Sequence, residues 1–274
     1  MLFFLFYDRI LTGIARSIEI EKGLKLTKRM SEVIVIASGK GGTGKTTVCA
    51  GLAAALAKAK YKVLIIDCDS GMRGVDLMLG ISDRLVYDIS DVISGACEYK
   101  DALYKVDGDY ELYSVAAPLH ADDEVSPSLI KQFVEKVRED FDYILIDSPA
   151  GTGSGFYAAA VAADRALVVV NTEPISIRGC KNIGARLREL QIDDKRLIIN
   201  RFDRKRFDEM GLYRDLDEVI DEAGMRLIGL IPEDVRVIAL SQRGALMNNW
   251  SQTSVIFDTI VKRLQGVDVP IVVR

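Results

Sequence analysis

The eight residues Gly39–Thr46, GKGGTGKT, constrain this chain more than any other stretch. They follow an apolar, β-branched run, Val33–Ala37, and precede an alanine-rich segment, Thr46–Lys60, that ends in lysines. A G-x-x-x-x-G-K-[ST] pattern between a buried strand and a helix is a phosphate-binding loop. Such a loop wraps phosphates with backbone N–H groups, and glycine permits both the dihedrals and the close approach. Lys45 is expected to reach the β- and γ-phosphates and the Thr46 hydroxyl to coordinate Mg²⁺, with the helix N-terminus adding a favourable dipole. The expected nucleotide contacts are Gly39, Lys40, Gly41, Gly42, Thr43, Gly44, Lys45, Thr46 and Thr47.

The remainder of the chain supplies a matching framework. Short apolar runs recur at Val63–Ile66, Leu112–Val115, Tyr143–Ile146, Ala166–Val170, Leu197–Ile199 and Leu227–Leu230. Each reads as a strand buried on both faces. Helical spacing falls between most of them, over Leu129–Asp140, Ile177–Leu190 and Gly211–Ala223. Repeated strand–helix units predict an α/β, three-layer P-loop NTPase fold, with a mainly parallel sheet flanked by helices on both faces. No Pro/Gly/Ser linker or internal repeat divides the chain, so one domain is expected over 30–266, with a short tail over 267–274.

Composition narrows the function classes. The 274 residues carry a net charge of −4, which argues against a generally basic nucleic-acid binder. Cys49, Cys68, Cys97 and Cys180 are far apart, which fits a reducing cytosol and no metal framework. His120, the sole histidine, lies in an expected surface loop. No span reaches the roughly 18 apolar residues needed to cross a bilayer. Residues 1–29 are expected to lie outside the fold, as an upstream extension ahead of Met30. The alternative is an interfacial helix with Phe3, Tyr7, Ile10 and Ile14 on one face and Arg9 and Arg16 toward lipid phosphates.

The extra lysine at Lys40, in KGGTGKTT, resembles the deviant Walker A loop of the MinD/ParA family of P-loop ATPases. The stretch from Asp67 fits that family's D-x-D-x-G-x-R-x-x-D, with Asp67, Asp69, Gly71, Arg73 and Asp76 in register. FDYILIDSPAGTG, from Phe141, is similar to its Walker B segment, and DSPAG is close to the MinD wording. RLVYDISDVISGACEYKDAL, NTEPISIRGCKNI, IINRF and GLIPEDVRVIALSQRGAL extend the resemblance over about 33–250. It implies ATP and Mg²⁺ as ligands and an ATP-dependent homodimer in which Lys40 reaches the neighbour's nucleotide. Lys40, Lys45 and Asp69 are then the catalytic residues, with Asp69 positioning the attacking water. Asp67 and Asp147 join Thr46 around the metal. Asn200 and Pro232, Glu233 and Asp234 flank the adenine ring. Asp76 is expected to be either functional or a structural cap.

The resemblance also implies a cell-division-site role, slow hydrolysis and an activating or cargo protein partner. The expected location is the cytoplasm, with a peripheral place at the inner face of the cell membrane as the extension of that reading. MinD proteins usually finish in a basic amphipathic helix that docks on lipid. Here Val255–Leu264 reads as a core-packing helix and Pro270 breaks its continuation, so weak liposome binding is expected. A ParA-like DNA-partitioning ATPase is the alternative. Its basic patch would be RFDRKRF from Arg201, with Lys195 and Arg196, but acidic residues are interleaved, so DNA is not the expected partner. A metal-cluster carrier would need facing cysteines, and Cys97 and Cys180 lack that pattern.

Overall fold

A computed structural model describes residues 31–120, 125–242, 244 and 253–271. The anticipated N-terminal extension lies outside these residues. The strands are β1 (Glu32–Ala37), β2 (Val63–Asp67), β3 (Tyr104–Lys105), β4 (Leu112–Val115), β5 (Tyr143–Asp147), β6 (Arg165–Val170), β7 (Lys195–Phe202) and β8 (Arg226–Pro232). They form one sheet in the order β3-β4-β2-β5-β1-β6-β7-β8. Every neighbouring pair is parallel except β3–β4.

The uninterrupted apolar runs have a direct cause. Val33, Val35 and Ala37 face one helical layer, whereas Ile34 and Ile36 face the other, and all five are fully buried. The first layer holds α4 (Pro127–Val137), α5 (Ser154–Ala160), α6 (Pro174–Glu189) and α8 (Leu216–Ala223). The second holds α1 (Lys45–Lys58), α2 (Gly74–Leu79) and α10 (Thr253–Leu264). Helix α4 buries Ile130, Phe133, Val134 and Val137, a single helical stripe. At about 1.5–3 kcal/mol per buried side chain, that stripe outweighs the helix's modest intrinsic propensity. The remaining helices are α3 (Ile89–Ser94), α7 (Arg204–Met210) and α9 (Val235–Gln242).

The expected helix over 211–223 is corrected by the structure. Gly211, at φ 56°, ends α7, and the Asp215 side chain accepts from the Glu218 N–H to start α8 afresh. The basic run from Arg201 spans the end of β7 and the start of α7. Its charges are matched on the spot: Arg204 pairs with Asp208 at 2.8 Å, Lys205 with Glu209 at 3.7 Å and Arg206 with Glu233 at 3.1 Å.

The candidate nucleotide site

Strand β1 is flanked by β5 and β6 and ends under the Gly39–Thr46 loop, at the crevice where open α/β sheets bind ligands. Gly42 (φ 78°) and Gly44 (φ 86°) occupy the left-handed region, which a Cβ disfavours. Gly39 is required for a different reason. A Cβ there would lie 2.2 Å from the backbone of Gly179 in α6. The Ser38 hydroxyl donates to the Lys40 carbonyl at 2.8 Å, and the Gly151 N–H donates to the Ser38 carbonyl at 2.8 Å. The phosphate loop is thereby tied to the loop that follows β5. Gly41 lines the open side, with nothing among the described residues within 4 Å of a Cβ placed on it.

Thr46 and Thr47 open α1, and Lys45 is buried at its first turn. No acidic side chain occupies that turn to compete with an anion. The Thr43 hydroxyl, 1% exposed, has no hydrogen-bond partner among the described residues. Lys40 makes an ion pair with Glu173, the residue just before α6. Lys40 draws the Glu173 carboxyl below its ordinary range.

Asp67 and Asp147 end β2 and β5 and stand opposite one another in register. Each is 1% exposed. Asp67 accepts from the Asp69 N–H at 2.9 Å and the Val75 N–H at 3.4 Å. Burial raises its pKa, the Asp147 charge adds to that, and the two N–H donors offset only part. Among the described residues, neither Asp147 oxygen has a partner that meets hydrogen-bond geometry. Burial raises Asp147 from 3.8 to about 7, although the adjacent Thr46 hydroxyl and the Lys45 charge pull the other way. Burial also raises Asp69, which Lys45 partly counteracts. Two buried carboxylates with unmet acceptor capacity, beside a threonine hydroxyl, are a hard-oxygen donor set that fits Mg²⁺. The glycine-rich loop, the helix N-terminus and Lys45 fit a polyphosphate.

The turn carrying Asp69 is anchored to the end of β4. Gly71 N–H donates to the Pro118 carbonyl at 3.1 Å, and Arg73 Nε donates to the Ala117 carbonyl at 2.8 Å. Arg73 Nη2 also meets Asp88 at 2.7 Å, where Asp88 caps α3. Asp76 receives the Leu77 N–H at 2.7 Å within α2. Asn200 lies against the phosphate loop, its Nδ2 donating to the Thr43 carbonyl at 2.8 Å. Pro232 ends β8 opposite Phe202 of β7, Glu233 and Asp234 follow it, and the Glu233 N–H donates to the Phe202 carbonyl at 2.9 Å. With Phe202 they line a cavity of about 760 Å³ whose described lining includes no phosphate-loop residue. Sequence reasoning missed Glu173, which is 133 residues from its lysine and follows no spacing rule. It also missed a contact from Arg201 Nη1 to the Gly42 carbonyl at 3.2 Å.

The fold and this loop define a class. The family described as CobQ/CobB/MinD/ParA nucleotide binding domain matches residues 34–247, and the chain belongs to that family. Within it the chain is similar to the septum site-determining protein MinD of Bacillus subtilis (strain 168), 36% identical over 248 residues, or 88% of this chain and 92% of the relative. Its P-loop NTPase fold matches MinD of Aquifex aeolicus, solved in a MinC:MinD cell division protein complex, with a TM-score of 0.81 and 35% identity over 89% of this chain and 99% of that one. It also matches MinD of Pyrococcus horikoshii OT3 complexed with Mg-ADP, with a TM-score of 0.75 and 26% identity over 86% and 96% of the two chains.

Proposed function

We propose that this chain is an ATP-driven dimerisation switch of the MinD type that hydrolyses ATP slowly and acts in placing the cell-division site through protein partners. One observation carries the chemistry: a buried Asp147 set beside Asp67 and the mouth of the phosphate loop, with only the Thr46 hydroxyl and the Lys45 charge, among the described residues, to offset its burial. A site that keeps two adjacent buried carboxylates at such a cost suits a cation.

Thr46, Asp67 and Asp147 would hold Mg²⁺, which neutralises developing phosphate charge when bound. The loop amides and Lys45 hold the β- and γ-phosphates. Asp69, only half-buried and fixed by its turn, orients a water toward the terminal phosphorus. Asn200, Pro232, Glu233 and Asp234 form the side on which the adenine is read. Lys40 rests on Glu173. On ATP binding it leaves that carboxylate for the nucleotide of a second copy, so dimer closure and completion of the catalytic charge become one event. Slow turnover gives the dimer a lifetime during which a partner can read it.

The relatives' septum-site role and the MinC complex of the Aquifex protein support a protein partner. We place its action in the cytoplasm, with a peripheral place at the inner face of the cell membrane as the extension of that reading. No helix among the described residues is long and apolar enough to cross a membrane. The test is size-exclusion chromatography with light scattering on Asp69→Ala in ATP and Mg²⁺. The expected result is a doubled mass that reverts with ADP. A single-subunit mass at high protein concentration would defeat the switch.

A further inference from the structure

We infer that Arg201 is a positioning residue for nucleotide binding, acting with Asn200 to hold two successive carbonyls of the phosphate loop. The inference rests on the nucleotide-site reading above and adds a part to it.

Successive side chains of a strand point to opposite faces. Asn200 and Arg201 are successive residues of β7, yet both reach the same loop. Asn200 Nδ2 donates to the Thr43 carbonyl and Arg201 Nη1 to the Gly42 carbonyl. The alternation is broken in the backbone. Arg201 has φ 55°, and the pairing of β7 with β8 shifts register between Ile199 and Phe202. An irregularity of this kind turns a side chain away from its normal face and recurs beside functional sites. A left-handed arginine is disfavoured and persists only where its surroundings impose it. Here the next residue does so. Phe202 is 4% exposed and packs on Phe207, with ring centroids 5.6 Å apart, and its carbonyl accepts from Glu233.

The arrangement has a purpose in peptide geometry. In a planar trans peptide the C=O and the following N–H point in opposite directions. Holding the Gly42 carbonyl from outside therefore aims the Thr43 N–H inward. Holding the Thr43 carbonyl aims the Gly44 N–H inward as well. Two adjacent amides presented together form an anion-binding concavity. Only glycine at position 44 leaves room for this contact, since a Cβ there would lie 2.4 Å from Asn200 Nδ2.

The test compares Arg201→Gly with the wild type, in the full chain. Glycine keeps the left-handed backbone without strain and removes only the side chain. MgADP affinity is measured by titration calorimetry at low ionic strength and in 0.5 M salt, alongside the melting temperature of the nucleotide-free protein. The expected result is an affinity weakened about fivefold at both salt concentrations, with a melting temperature at or above the wild-type value. Wild-type affinity in the variant overturns the inference. A deficit that disappears in salt also overturns it, because simple charge attraction would then suffice. So does a fall in melting temperature that accompanies the lost affinity, which would mark a merely structural residue. If the wild type itself fails to bind MgADP, the nucleotide-site reading falls first.

Discussion

Replacing Asp147 by asparagine should make the metal-free protein more stable while removing its response to magnesium nucleotide. The carboxyl is raised from 3.8 to about 7 by burial. The unfolded chain therefore releases this proton more readily than the folded one. The resulting destabilisation is absent below pH 4, grows between pH 4 and pH 7, and is complete above that. A shift of about three pK units at about 1.4 kcal/mol each corresponds to roughly 4 kcal/mol. Asparagine removes the charge but leaves an amide short of partners in the same place, at a cost of about 1–3 kcal/mol. The expected net gain is about 1–3 kcal/mol, or roughly 2–8 °C in melting temperature for a chain of this size. Scanning fluorimetry at pH 7.5 in EDTA, repeated with MgADP, reads both effects. The variant should melt higher than the wild type in EDTA and shift little with MgADP, whereas the wild type shifts upward. If the variant melts lower in EDTA, the buried carboxylate has a compensating partner and the argument for a cation there fails.

Two further outcomes follow from contacts already described. Gly39→Ala drives a Cβ into the backbone of Gly179, where neither side can yield, so urea unfolding should show a loss of more than about 3 kcal/mol; Gly41→Ala, in open space, should stay within about 0.5 kcal/mol of wild type. Glu173→Gln frees Lys40 from a half-exposed ion pair of the kind that contributes little, so ATP-dependent dimers should form at a protein concentration roughly two- to fivefold lower by sedimentation. An unchanged or higher threshold would show that Glu173 does not restrain Lys40.

The parts of the site that could be read in advance are those fixed by local rules. The phosphate loop is a contiguous pattern between a strand and a helix. Asp67 and Asp147 end apolar runs, and register then sets them side by side. Strand β3 escaped notice because its two residues are held by antiparallel pairing with β4 and carry no periodicity of their own. Helices α2 and α3 have six residues each, too few for a helical repeat to show. The break between α7 and α8 was encoded all along, in a C-terminal glycine and in Asp215 three residues ahead of Glu218. A continuous apolar spacing across them masked it. The Lys40–Glu173 pair and the inward turn of Arg201 depend on distant chain segments meeting, and no local pattern announces them.

The abutment of Gly39 on Gly179 has a mechanical consequence. Two bare backbones in contact leave no side chain to cushion a displacement, so α6 and the entry to the phosphate loop must travel as one piece. The leading end of α6 carries Ile175, 61% exposed and open to touch from outside. A protein pressing on that end would push directly on the entry to the phosphate loop, with no intermediate relay required.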